Sequence, residues 1–514
     1  MSTLAVVPIL VTAGTSVLPA LSAAIFAVFA ILLRPREWVR ICRGKPRMAV
    51  AAIAIVGALI LIFAGLTRQR PVRREGVKPI DWARVALEII QREQASPLAP
   101  FSHETRGDVA FRFNASRCGF DGGSVPQNLR PLWAFKQQAA WFLSSPTVVG
   151  DRVYGASCVA DVTGNFGSIF CLDAESGRAL WQVEKIDGTD LRGVFSSPAI
   201  TGDGKHLVIG EGLHFDDGCR LICLDAETGK LRWKIDVPQN HIEGSPAILG
   251  DIVIAGAGAI EHANHLPPAN PGYVFGVRIS DGKMLWRHDV IDPESSPAIA
   301  ADGVVYIGSG VGGNAIVALR IESDDDLRAK NLSRILWRTV TPYPATGAAT
   351  LADDLVLIGA GLGDFVNSAP HPAGAVLALD RHTGAIRWQK ELGDAVLGPI
   401  SVRDGRAICP GRSGKIVALD VASGRELWSW TSGNRAPVLA GAAIAAGKVF
   451  VVSNDGFLAV LDARDGRLIE KHFLNDEAGP SKQGLSLSSP TLARGRLFVG
   501  SESGGLRCFT GSPP

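Results

Sequence analysis

Cys171-Leu-Asp-Ala-Glu-Ser-Gly-Arg-Ala-Leu-Trp181 decides the fold, because the phrase comes back. It returns as Cys223-Leu-Asp-Ala-Glu-Thr-Gly-Lys-Leu-Arg-Trp233, as Ala378-Leu-Asp-Arg-His-Thr-Gly-Ala-Ile-Arg-Trp388 and as Ala418-Leu-Asp-Val-Ala-Ser-Gly-Arg-Glu-Leu-Trp428. Weaker copies end at Trp286, at Trp337 after an insertion around Asp324–Asp326, and at Glu470, where the tryptophan is lost. Each copy reads as a hairpin. Asp and Ser/Thr side chains bond the backbone of a tight turn, and Gly supplies a positive φ. The Trp that follows lies on the outermost strand and buries its ring between neighbouring units.

A second phrase opens each unit: Ser145-Pro146, Ser197-Pro198, Ser245-Pro246, Ser296-Pro297 and Ser489-Pro490, with Gly398-Pro399 a near match and Thr346-Gly347 and Gly441-Ala442 in the remaining slots. Proline at a strand's first residue costs no ladder bond. A period of about 40–50 residues, each holding several short strands, is that of a propeller blade. Apolar stretches such as Val304-Val-Tyr-Ile-Gly308 exclude helical repeats of similar period. The innermost strands start at 146, 198, 246, 297, near 347, 399, near 442 and 490, which makes eight blades. Leu132-Trp133 precedes the first start, and the last start has no Trp after it. The strand around Trp133 therefore completes the last blade and removes a free sheet edge. The expectation is an all-β, eight-bladed β-propeller of four-stranded blades over 131–514, with Trp133, Trp181, Trp233, Trp286, Trp337, Trp388 and Trp428 as docking residues.

The motif Ala-x-Asp-x-x-(Thr/Ser)-Gly-x-x-x-Trp resembles the tryptophan-docking repeat of the PQQ-like propeller superfamily. One branch comprises periplasmic quinoprotein alcohol dehydrogenases that use PQQ and calcium. The other comprises lipoprotein scaffolds of the outer-membrane assembly type, which bind no cofactor. The dehydrogenases carry an adjacent-cysteine disulfide over the cofactor, and no Cys-Cys pair exists among the 8 cysteines here. Neither CxxC nor CxxCH occurs, so zinc ribbons and haem attachment lack support. With 52 basic against 50 acidic residues, the chain has no nucleic-acid binder's charge excess.

Ahead of the repeats, residues 6–33 and 48–66 carry no charged side chain, and each approaches or exceeds the roughly 20 residues that span a bilayer as helix. The loop between them, 34–47, is rich in Arg and Lys, which prefer the cytoplasm. Residues 1–67 are thus expected to form two transmembrane helices in the cell membrane, with the propeller periplasmic. Arg68, Arg70, Arg73, Arg74 and Lys78 pull the other way. Residues 68–130 read as a juxtamembrane helix at 79–94, with Trp82, Val85, Ala86, Ile89 and Ile90 on one face, followed by a linker.

In a four-stranded blade, the loops between strands two and three share a face with the links between blades. That face carries Glu211, His214, Asp216, Asp217, His241, Glu243, Glu261, His262 and His265 from two neighbouring blades, and Asp364 and His371 from another. His and carboxylate together suit zinc, copper or iron. His241, Glu243, His262 and His265 are the expected metal ligands; the competing reading makes all of these solvated rim residues. Cys158 and Cys171 flank a hairpin and are either a disulfide or two buried thiols. Arg412 and Lys415 read as exposed charges. The resemblance implies a non-catalytic binding or scaffold module for protein partners in the cell envelope, with no cofactor. The alternative is a quinoprotein oxidoreductase acting on alcohols or sugars with PQQ and calcium.

Overall fold

The computed structural model describes residues 112, 117–161, 164–260, 270–476 and 486–512. The two expected transmembrane helices, the 79–94 helix, Glu261, His262 and His265 lie outside them. Among the described residues no helix is long and apolar enough to cross a membrane.

Eight antiparallel blade sheets follow one another along the described residues, seven of four strands and one, blade 3, with a short fifth strand added to its four. Blade 1 comprises Thr147–Val149, Arg152–Asp161, Gly164–Asp173 and Ala179–Val183, from the innermost strand outward. The innermost strands of blades 2 to 8 begin at Ala199, Ala247, Ala298, Thr350, Ser401, Ala443 and Thr491. Blade 8 is completed by the N-terminal strand Gln127–Phe135, paired with Leu506–Ser512, so Trp133 faces Cys508. The closure read from the lone Trp133 holds. Two starts shift. Ala348-Ala349 stands in the Ser-Pro slot of blade 5 rather than Thr346-Gly347, and Pro399 takes the serine's place in blade 6.

The hairpin register explains the repeated phrase. Its first and last residues face each other: Cys171 opposite Trp181, Cys223 opposite Trp233, Ala378 opposite Trp388 and Ala418 opposite Trp428. A small residue makes room for the ring. Each indole then reaches the next blade. Trp181 Nε1 donates to Ala226 O at 3.1 Å, Trp388 Nε1 to Val421 O at 2.8 Å and Trp428 Nε1 to Ala463 O at 2.9 Å. The rings lie on the turn glycine of that blade. A Cβ on Gly229 would stand 2.8 Å from Trp181, and Gly229 has φ +71. Trp286 docks on blade 4, where the helix Asp324–Lys330 replaces the turn, and Arg334 covers its ring at 4.3 Å.

Blade 7 lacks the tryptophan for a topological reason. Its partner would be the turn between the two outer strands of blade 8, and those strands come from opposite ends of the chain. Glu470 stands there instead and accepts a bond from Leu129 N at 3.1 Å.

Around the axis, the opening serines link blade to blade. Ser145 N donates to Ser197 Oγ, Ser197 N to Ser245 Oγ, Ser245 N to Ser296 Oγ and Ser489 N to Ser145 Oγ, all at 2.9–3.0 Å. Two residues further along, Thr147 donates to Pro198 O and Thr350 to Ile400 O. Blades 3 and 4 have Ala247 and Ala298 there, without a hydroxyl. The buried Arg117 fills the gap, donating to Pro297 O at 2.8 Å and Ala349 O at 2.6 Å. Arg112 also donates inward, to Gly441 O and Ala442 O, the latter already bonded by the Ser401 hydroxyl. The segment read as the end of a linker thus runs inside the propeller, with Phe120 bridged in parallel to Leu492.

Of the two readings of Cys158 and Cys171, the structure shows the buried thiols: both are free, and no disulfide joins them. The hairpin register sets Cys158 opposite Gly167 and Cys171 opposite Tyr154, so the two are offset along the strands rather than paired. Burial pushes the Cys158 thiol up to about 12 and the Cys171 thiol up to about 11.

Candidate functional site

Four residues ahead of each innermost strand, the links between blades place one side chain at the mouth of the axial funnel. In blades 1, 6, 7 and 8 it is Leu143, Leu397, Leu439 and Leu487; blade 2 has Phe195 and blade 5 Thr346. Blades 3 and 4, side by side, have Glu243 and Glu294. Phe365 adds a further apolar wall. The cavity that these residues enclose is about 100 Å³.

Beside the two glutamates lies His241, on the two-residue strand Asn240–His241, which pairs with Ala259 and Gly258. Gly258 is required by the close approach: a Cβ there would stand 2.8 Å from the imidazole. Asn240 Nδ2 ties the same strand down by donating to Gly258 O at 2.7 Å. His241 is fully buried, yet neither ring nitrogen has a hydrogen-bond partner among the described residues. Its Nε2 is 4.0 Å from Glu294 Oε2. Ligand atoms of His241, Glu243 and Glu294 all lie within 4.8 Å of one another. His214, from the loop between strands two and three of blade 2, steadies Glu243: its backbone N donates to Glu243 Oε1 at 2.7 Å, and its Nδ1 sits 3.1 Å from the same oxygen.

The electrostatics follow from burial. Desolvation lowers the His241 pKa and favours the neutral ring. Desolvation works against ionised Glu243, but the hydrogen bonds from His214 and the nearby imidazoles hold its carboxyl below the usual range.

The other expected residues have separate places. Glu211 is fully buried in an ion pair with Arg220, whose Nη2 is 3.0 Å from Glu211 Oε2, and takes a bond from Arg192 N. Desolvation raises its pKa in spite of Arg220. This is a blade-stabilising pair, away from the His241 cluster's chemistry. Asp216 accepts from Leu213 N and Asn165 Nδ2, and Asp217 from Gln239 N. Asp364 caps a turn through Val366 N and Asn367 N, and His371 is exposed. Arg412 is buried, not exposed as expected, and its Nε donates to Ser368 Oγ at 3.1 Å. Glu294 was missed by the sequence reading. Its signal was there: it precedes Ser296-Pro297 by the same step that sets Glu243 before Ser245-Pro246.

A second, larger cleft of about 510 Å³ opens on blade 1 between Gln137, Ser157, Ser168 and Glu184. Its polar groups are mutually satisfied, with Ser157 Oγ donating to Gln137 Oε1 and Gln137 Nε2 to Ser168 Oγ.

Fold and repeat together define an eight-bladed propeller locked by tryptophan docking. The family model described as "Outer membrane protein assembly factor BamB" matches residues 130–257, 165–324 and 324–512, and the chain belongs to this family. It is 24% identical over 360 residues to the outer membrane protein assembly factor BamB of Yersinia pestis, covering 67% of this chain and 80% of that one. It is also 26% identical over 242 residues to the quinohemoprotein alcohol dehydrogenase ADH-IIG of Pseudomonas putida, covering 43% of this chain and 31% of that enzyme. Among solved structures, a europium-containing methanol dehydrogenase shares the fold with a TM-score of 0.58 at 16% identity, over 80% of this chain and 92% of that one.

PQQ with calcium does not fit the described funnel. A cofactor site typically offers about 300–1,000 Å³, and the cavity here is about 100 Å³. PQQ is a tricarboxylate, and anions need cationic or N–H partners. The charged side chains lining this cavity are two glutamates.

Proposed function

We propose that this protein is a cell-envelope binding module that presents the funnel face of its propeller to a protein partner, anchored by the uncharged runs at 6–33 and 48–66. The observation that carries the reading is where the bare apolar side chains lie. Among the described residues, the most exposed large hydrophobics are Val366 (66%), Val311 (62%), Val340 (61%) and Phe215 (56%). Phe215, Val311 and Val366 sit in loops between second and third strands, and Val340 ends an outer strand where the chain turns into a blade link. All four therefore rim the funnel face. Exposed apolar surface collected on one face marks an interaction site, and loops on a rigid scaffold supply its specificity.

Kinship with the assembly factors supports this reading over the dehydrogenase one, as does the poor fit of PQQ. The test is photo-crosslinking in intact envelopes from Val311 and Val366, with Ile386 and Leu468 on the outer strands as controls. The expected result is a discrete protein adduct from the funnel positions alone, lost with Val366→Asp and Phe215→Asp. Equal adducts from both sets would sink the reading. Stoichiometric, calcium-dependent PQQ binding with alcohol-driven reduction of an artificial acceptor would replace it with the oxidoreductase.

A further inference from the structure

We propose that His241, Glu243 and Glu294 bind one first-row divalent cation of the zinc type at the funnel mouth, with His214 orienting Glu243. This goes beyond the scaffold reading and stands or falls independently of it.

Three observations carry the assignment. The first is the unpartnered imidazole. A buried polar group without a partner costs free energy, and buried polar atoms in native proteins are rarely left so. His241 has two such atoms in a pocket bounded by carboxylates. The second is the pattern of the funnel ring. The equivalent position is Leu in four blades, so Glu243 and Glu294 are departures, in adjacent blades, that converge on the same histidine. Two carboxylates brought together repel unless a proton or a cation lies between them. The third is the supporting shell. His214 bonds Glu243 from a neighbouring loop, and Gly258 leaves room for the ring. Partners of this kind fix ligand orientation at metal sites.

The donor set selects the ion. A neutral imidazole with two carboxylates balances a charge of +2. Imidazole suits zinc, iron, copper and nickel, whereas calcium and magnesium take oxygen ligands. Three protein ligands leave a coordination position open, as in zinc sites that exchange water for another ligand. Leu439 and Leu487, in blades 7 and 8 across the ring, line the same cavity with apolar walls.

The experiment uses the full chain in detergent, stripped with EDTA and titrated with cobalt(II), then zinc(II). The expected result is one cobalt per chain, with visible d–d absorption that one equivalent of zinc abolishes. Glu294→Gln and Glu243→Gln keep the side-chain shape and should each weaken binding by more than the ~10–100-fold expected for His214→Ala. His371→Ala should change nothing. Equal melting temperatures of the stripped variants and stripped parent establish that folding is intact. Absence of stoichiometric uptake overturns the proposal. So does uptake that survives Glu294→Gln but is lost in His262→Ala/His265→Ala.

Discussion

The outer ring of docked tryptophans and the inner ring at the funnel mouth are both built from one residue per blade, but they repeat differently. The outer ring departs from its rule only at blade 7, where Glu470 replaces Trp, and the cause is topological: no continuous turn exists on blade 8 to receive a ring. The inner ring departs from Leu at blades 2 to 5, with Phe195, Glu243, Glu294 and Thr346, and no topological feature asks for the two charges at blades 3 and 4. A departure explained by chain connectivity belongs to the fold. One left unexplained by it points to chemistry.

Substitutions can break or sharpen that contrast. The largest effect is expected from Trp286→Ala. The indole is buried and bonded to Ile321 O at 2.8 Å, and such truncations cost about 3–5 kcal/mol, read from urea unfolding. Glu294→Gln, in metal-free protein, should leave the same curve unmoved. If both rings respond alike, the division fails.

Next comes Arg117→Met, which keeps the aliphatic volume and removes the donors. Pro297 O and Ala349 O lose the partner that replaces the missing hydroxyls of blades 3 and 4, at about 1–3 kcal/mol for each buried acceptor left unpaired. Putting Thr at Ala247 and Ala298 should recover part of the loss; no recovery would refute the gap-filling account.

Glu470→Trp restores the repeat without restoring its target. It should destabilise by about 1 kcal/mol, typical of a single substitution, through loss of the Leu129 bond. A stabilising outcome would show that the ring finds another seat.

The smallest effect is the acid response of the turns. Asp225 is held down to about 2, chiefly by the Thr228 hydroxyl, and Arg232 adds to this. Its folded-state pKa is depressed, so its contribution is present above the ordinary carboxylate range and fades as pH falls from about 4 towards 2. Asp225→Asn should lower the melting temperature at pH 7, where that contribution is fully present, and leave it little changed near pH 2, so the profile flattens across that window.

The blade count and the closure by Trp133 were legible because each depends on contacts inside a hairpin or on a period along the chain. The sequence also placed His241 and Glu243 on the funnel face, since the links between blades are recognisable by their position just ahead of the Ser-Pro openings. Cys158 and Cys171 show where local reading stops. Both lie on one hairpin, but whether they meet depends on its register, and the register places them apart.

What the sequence determined by itself is therefore the repeating part: a small residue facing a tryptophan, a glycine turn beneath the neighbouring ring, and serines stepping from blade to blade. Tertiary structure alone decided that Glu294 joins His241, that Glu211 is taken up by Arg220, and that Arg112 and Arg117 lie inside the propeller. The physical reason is circular geometry. Residues within a blade meet through hydrogen-bond registers only a few positions long. Residues at the axis meet across blades, a full period apart in the chain, and only ring closure brings them together.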